Sequence, residues 1–185
     1  MERSDWDLVR ESRRGDQEAF RELFDRYHRQ VLAVAVGMTG NPDDAMDVAQ
    51  ETFLRAHRNL GSFLGESSFY TWLYRIAVNV AIDHRRRDVR RAEVPSDTEM
   101  LEETHAAERT TEPETGASSA ELRQTLLSAI DELTPEHKAA IVLREIEGLS
   151  YEDISKVMQC SKGTVMSRLH YARKKLQGRL AQLLH

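Results

Sequence analysis

The side chains of this chain best suited to act on another molecule are cations, and they are clustered. Residues 162–185 carry Lys162, Arg168, Arg173, Lys174, Lys175 and Arg179 with no acid among them, and residues 84–91 read HRRRDVRR. Clusters of this kind suit the phosphates of a nucleic acid. Groups for acid–base or nucleophilic catalysis are not assembled in the same way. His28, His57, His84, His105, His137, His170 and His185 are scattered, with no HExxH, no phosphate-binding loop and no GxSxG. Cys160 is the single cysteine, which excludes an internal disulfide and a multi-cysteine zinc site. It reads as a small packing residue rather than a redox sensor. We therefore expect no enzyme, no cofactor, no metal and no small-molecule substrate.

Two further sets of residues stand out by type and spacing. Tyr70, Tyr74 and Asn79 lie off the apolar stripe of their segment, which then runs into the arginine cluster containing Arg86. Aromatics and amides beside arginines suit unstacked bases with phosphate close by, although an arginine cluster reads equally as a solubilising helix end. Met46 and Leu54 share an outer arc with Asp47, Gln50 and Glu51. Apolar residues among acids on an outward face suit a protein partner. On spacing alone a few stray exposed apolar side chains are as good a reading.

The elements that must position these residues are helices. Ser4 with Asp7 forms a capping box for a first short helix ending near Gly15. Asp16 precedes a second helix with Phe20, Leu23, Phe24, Tyr27, Val31, Val34, Ala35 and Met38 on one face, ended by Gly40. Asn41-Pro42-Asp43-Asp44 starts a third, to about Asn59, combining an N-cap, a first-turn proline and acids at the positive end of the dipole. Its buried stripe is Ala45, Val48, Ala49, Thr52, Phe53, Ala56 and Leu60. After a loop at 61–68 a fourth helix runs to about Arg91, with Phe69, Trp72, Leu73, Ile76, Ala77 and Val80 inward.

Order resumes at Ser118, which forms a capping box with Glu121, followed by Leu122, Leu126, Ile130 and Leu133. Thr134-Pro135 starts a helix through Ile141, Val142 and Ile146, stopped by Gly148. Ser150 with Asp153 caps a short helix to Met158. The turn Gln159-Cys160-Ser161 leads into a last helix from Lys162 to about Leu184. Two short helices across a tight turn, the second basic, read as a helix-turn-helix. Val165, Leu169, Ala172 and Leu176 form its buried stripe. Gly163, Met166, Ser167, His170, Tyr171 and Lys174 form its outer arc, and Arg168, Arg173 and Lys175 flank it where a groove-bound helix meets phosphates.

Charge divides the chain. The net charge is −5, yet 1–91 balances 15 bases with 15 acids, 92–120 holds eight acids and one base, and 121–185 holds ten bases and eight acids. Segment 92–120 has no apolar period and is rich in Glu, Thr and Ser, the composition of a disordered acidic linker. Its 29 residues span roughly 30 Å as a coil and about 95 Å stretched. The fold class is accordingly all-α: a helical N-terminal domain over 1–91, a flexible linker over 92–120 and a helix-turn-helix domain over 121–185. No apolar run is long enough to cross a bilayer. The first residues lack the apolar core of a secretory signal. Both point to the cytoplasm.

These residues resemble a known family. The stretch DDAMDVAQETFLRAHRNLGSFLGESSFYTWLYRIAVNVAIDHRRR resembles region 2 of the extracytoplasmic-function sigma factors, and IDELTPEHKAAIVLREIEGLSYEDISKVMQCSKGTVMSRLHYARKKL resembles their region 4. The resemblance implies a promoter-specific transcription initiation factor. Its partners would be core RNA polymerase (the clamp helices and flap), promoter DNA and an anti-sigma factor. Asp47, Gln50, Glu51 and Leu54 match the surface that grips the clamp helices. Phe63, Ser67, Ser68, Tyr70, Tyr74, Asn79, Asp83 and Arg86 lie in or beside the segments that capture and read −10 bases. Lys162, Thr164, Met166, Ser167, Arg168, His170, Tyr171, Arg173 and Lys174 form the set implied to bind the −35 element. The family often carries arginine among the base-reading positions, from which Met166 and Tyr171 depart. A helix-turn-helix repressor or activator with an N-terminal dimerisation or sensing domain is the rival reading. It would bind a palindromic operator without polymerase.

Overall fold

The structure, a computed structural model, describes residues 3–93 and 128–181. The acidic segment from residue 94 on, the Ser118–Glu121 cap and the last helix beyond 181 lie outside the described residues. Among those described, every regular element is helical. They are α1 (Asp5–Ser12), α2 (Gln17–Thr39), α3 (Pro42–Arg58), a 3-10 turn (Leu60–Ser62), α4 (Phe69–Glu93), a helical turn at 128–131, α5 (Pro135–Ile141), a π turn (Val142–Ile146), α6 (Tyr151–Val157) and α7 (Lys162–Ala181).

Side-chain caps set the starts. The side chains of Ser4, Asp16, Asn41, Thr134 and Ser150 each accept a backbone N–H of the first turn they precede, satisfying donors that the helix itself cannot. Gly40 ends α2 at φ +75°, a left-handed conformation that glycine adopts without penalty. One expected helix differs. Residues 135–146 begin as α-helix and widen into the π turn from Val142, with the N–H of Glu147 bonding the carbonyl of Val142. The wider turn keeps Val142 and Leu143 buried and leaves Ile146 54% exposed.

Helices α2, α3 and α4 pack on one another around Leu23, Val34, Met38, Val48, Phe53 and Leu73, with α1 laid across α2. Burying each large aliphatic side chain contributes about 2 kcal/mol. Helices α5 and α6 pack on the inner stripe of α7, where Val165, Leu169 and Ala172 are buried. The two groups also touch each other. Helix α2 meets α5 and the π turn, and α4 meets α6. Gly37 makes this possible, because a Cβ there would stand 2.9 Å from both Val142 methyls.

A buried lysine paired with an exposed carboxylate sits near this junction. Lys138 is fully buried and its Nζ donates to Asp131 Oδ1 at 2.6 Å, while Arg85 of α4 donates to the Asp131 carbonyl. Burial holds the Lys138 pKa below the ordinary lysine value, against the opposing pull of Asp131. A lysine with a depressed folded pKa binds fewer protons folded than unfolded between the two values, so stability rises with pH through that window. Lys138→Met keeps the buried stem and leaves Asp131 in water. It is expected to raise stability at neutral pH by about 1 kcal/mol and to abolish the alkaline rise, as read by denaturant unfolding at a series of pH values.

Candidate functional site

Three faces carry the residues singled out by sequence. On α3, Asp47, Gln50 and Leu54 are exposed and Glu51 is half-buried. Together they line a concavity of about 480 Å³ whose other wall is α4, through Val80, His84 and Arg87. Sequence reasoning places Val80 on the inner stripe and His84 and Arg87 in the cation cluster, and misses that their spacing along α4 aligns them on one face against α3. Glu51 is held by Arg55, which donates to it at 2.7 Å and reaches Asp83 of α4 at 3.5 Å. That arginine ties the α3 face to α4.

The second face divides. Ser68 caps α4, its Oγ bonded to Thr71 Oγ1 at 2.7 Å and accepting the Thr71 N–H, and Ser67 is half-buried beside it. Phe63, expected at a base-binding surface, is 4% exposed. Its ring packs among Trp6, Phe69 and Trp72 with centroids 5.6–5.9 Å away, so it supports the loop from inside rather than facing a base. Tyr74 is likewise 4% exposed, and its hydroxyl donates to Glu147 Oε2 at 2.6 Å. Burial, then this bond, pushes the phenol pKa above its ordinary range. Sequence spacing within α4 cannot register the arrival of a residue 73 positions away. Tyr70 is half-buried, its ring centroid 5.9 Å from that of Tyr74. Asn79 and Arg86 are exposed and Asp83 is half-exposed. At 3.6 residues per turn they fall on roughly the opposite side of α4 from Tyr70 and Tyr74, so the expected −10 set occupies two faces rather than one.

The third face is intact. Gly163, Met166, Ser167, His170, Tyr171 and Lys174 are all exposed, over the buried stripe of Val165, Leu169 and Ala172. Thr164 is half-buried and bonded to Ser161 of the turn. The flanking cations are engaged. Arg173 donates to Glu145 at 2.7 Å, Lys162 pairs with Glu152 at 3.1 Å, Lys175 with the Glu132 carbonyl, and Arg168 contacts Cys160 Sγ at 3.5 Å. Exposed pairs of this kind contribute little to stability and exchange readily for phosphate.

An apolar groove of about 810 Å³ lies where α2 meets α5 and the π turn, lined by Leu32, Val36, Ile141, Val142 and Ile146 among others. The docking beside it depends on close contact at Gly37 and on the Tyr74–Glu147 bond. Tyr74→Phe is expected to shift the docked-to-undocked ratio about tenfold toward undocked. Gly37→Val, which drives methyls into Val142, goes further in the same direction. Both should enlarge the radius of gyration in solution scattering while helicity is retained.

Two family models match the sequence: Sigma-70 region 2 over residues 23–91 and Sigma-70, region 4 over residues 123–176. The RNA polymerase sigma-H factor of Pseudomonas aeruginosa is 42% identical over 184 residues, covering 97% of this chain and 95% of that protein. The ECF RNA polymerase sigma-E factor of Escherichia coli K12 is 40% identical over 181 residues, covering 96% and 94%. Among solved structures, that of CnrH in complex with the cytosolic domain of CnrY aligns with TM-score 0.68 at 26% identity over 95% of this chain. The sigma factor RpoE of Bartonella quintana, solved with the anti-sigma factor NepR, has the same fold with TM-score 0.65 at 24% identity. With both regions matched in order and near-complete relatives at 40% identity or more, the chain belongs to the extracytoplasmic-function sigma factors of the sigma-70 family.

Proposed function

We propose a division of labour for this sigma factor over its three exposed faces. The unit at 1–91 grips the clamp helices of core polymerase with Asp47, Gln50, Glu51 and Leu54. It takes unpaired −10 bases at the loop 63–68 and the adjoining surface of α4. The unit at 121–185 lays α7 in the major groove of the −35 element and meets the flap. The observation that carries this reading is the exposure of the whole outer arc of α7 above a buried stripe, the arrangement that groove insertion requires. Met166, Ser167, His170 and Tyr171 face bases, and Arg168, Arg173 and Lys175 lie toward phosphate. The chain needs no catalysis of its own. Opening follows from capture of unstacked bases, and two modest readers gain selectivity by being tethered to one polymerase.

The docked arrangement bears on this. Elements named −35 and −10 lie about 25 base pairs apart, or about 85 Å along the duplex. Helices α4 and α7 in one compact body cannot serve both, so promoter binding requires the two units to separate. A 29-residue connection at 92–120, with a stretched reach of about 95 Å, permits it. An anti-sigma factor is the further partner we assign. The apolar groove between the units, lined by α2, α5 and the π turn, supports that reading. No helix among the described residues is long and apolar enough to cross a membrane, and we place the protein in the cytoplasm with polymerase and DNA.

Run-off transcription from genomic fragments tests the proposal. Core polymerase with this protein should yield discrete start sites that core polymerase alone does not. An identical transcript pattern with and without the protein would refute it.

A further inference from the structure

The loop between α3 and α4 has little backbone bonding of its own. Its backbone bonds are those of the 3-10 turn, where Ser62 N–H bonds the Asn59 carbonyl at 2.8 Å and Phe63 N–H bonds the Leu60 carbonyl at 3.2 Å. Leu64 then stands out at 71% exposure, and Gly65 adopts φ +78°. What shapes the loop comes from α1, nearly fifty residues earlier. Arg13, the residue that ends α1, donates through Nε and Nη2 to the Leu60 carbonyl at 3.1 and 2.9 Å. Its Nη2 also donates to the Phe63 carbonyl and reaches that of Gly61 at 3.5 Å. Trp6, also on α1, lies against Gly65 so closely that a Cβ there would stand 3.0 Å from the ring. The same ring is tilted against Phe63, and the Arg13 guanidinium sits 5.8 Å above its centroid. Helix α1 is itself anchored, because Asp5 accepts from both Arg26 and Tyr27 of α2.

A guanidinium is a rigid planar fork, and one that meets the carbonyls of residues 60, 61 and 63 fixes the curvature of the chain between them. We infer that Arg13 is a positioning residue for −10 base selection: through three loop carbonyls and the Trp6 ring it holds the capture loop in its receiving shape without touching DNA. The inference rests on the capture-loop reading given above. A loop held in advance accepts the base whose edge matches its fixed polar groups. A loop freed from α1 rearranges around any base, so the loss falls on discrimination more than on binding. Nothing in the motif-bearing stretches of regions 2 and 4 points to α1, which precedes the first matched residue, 23.

The test compares wild type, Arg13→Ala and Arg13→Lys as reconstituted holoenzymes on a promoter and on its single-base −10 variants. The readouts are open-complex formation, affinity for core polymerase and dependence on the −35 sequence. The alanine variant is expected to lose about tenfold in preference for the cognate −10 base, the ordinary worth of a well-placed recognition contact. Core affinity and −35 dependence should stay at the wild-type level. Lysine keeps the charge but has no fork to span three carbonyls, so it should lose most of the same preference. Full retention of preference by either variant overturns the inference. So does an equal loss on every promoter, which a merely structural residue would give. A wild-type holoenzyme indifferent to every −10 base would instead bring down the capture-loop reading itself.

Discussion

The double substitution Asp47→Lys with Glu51→Lys is expected to abolish co-purification with core polymerase and leave the fold intact. Asp47 is exposed on α3, and Glu51 is half-buried with Arg55 as its partner at 2.7 Å. Neither carboxylate supports the core, which α3 builds from Ala45, Val48, Thr52, Phe53 and Ala56. The cost of the change to folding is that of exposed charges, within about 1 kcal/mol, including the new repulsion of Arg55 by a cation in place of Glu51. Its cost to binding is much larger. Close charge pairs across an interface couple by about 1.5–7 kcal/mol, so reversing two should weaken binding by more than about a hundredfold. Pull-down with core polymerase, beside circular dichroism and thermal melting, reads both sides. A variant that melts early or loses helicity would show that the face belongs to the fold and not to an interface.

The second large effect lies on α7. Alanine at Ser167, His170 or Tyr171 is expected to change which −35 base is preferred, by about 1–3 kcal/mol at the affected position. Arg173→Ala should instead weaken all sequences alike and lower the salt slope by about one. The pairing of Arg173 with Glu145 adds a converse. Glu145→Ala removes the carboxylate that neutralises that guanidinium, leaving only its bond to Tyr151, so it should tighten binding to all sequences alike and steepen the slope. Holoenzyme binding to a panel of −35 variants at several salt concentrations separates the two kinds of residue. A uniform loss from all three outer-arc variants would mean that another face of the helix meets the bases.

What could be read from the sequence is what neighbours along the chain decide. The caps at Ser4, Asp16, Asn41, Thr134 and Ser150 form as their residue types require, because a cap needs only the turn that follows it. The outer arc of α7 is exposed as its spacing implies, because the partners of its inner stripe are the two helices before it. The misreadings share another cause. The family resemblance puts Phe63 in the capture loop and the helical wheel puts Tyr74 off the inner stripe of its own helix, and neither registers what other elements bring against them. Their burial comes from α1, which brings Trp6, and from the chain after the π turn, which brings Glu147. The clasp of Arg13 on the loop spans 47 to 50 positions, beyond any periodic signal. The π turn escaped because over five residues an apolar pattern does not distinguish a wider turn from a regular one. His84 and Arg87 read from sequence as part of the HRRRDVRR cation cluster, and only the packing of α3 on α4 makes them a wall of the α3 concavity.

The central claim, that this chain opens promoters only as part of polymerase and does so by taking −10 bases, is most directly tested by permanganate footprinting of unpaired thymines on a responsive promoter. Reactive thymines around −10 are expected with core polymerase and the protein together, and with neither alone. Protection of a palindromic site by the purified protein without polymerase, with no reactive thymines when polymerase is added, would contradict the claim and identify a conventional helix-turn-helix regulator.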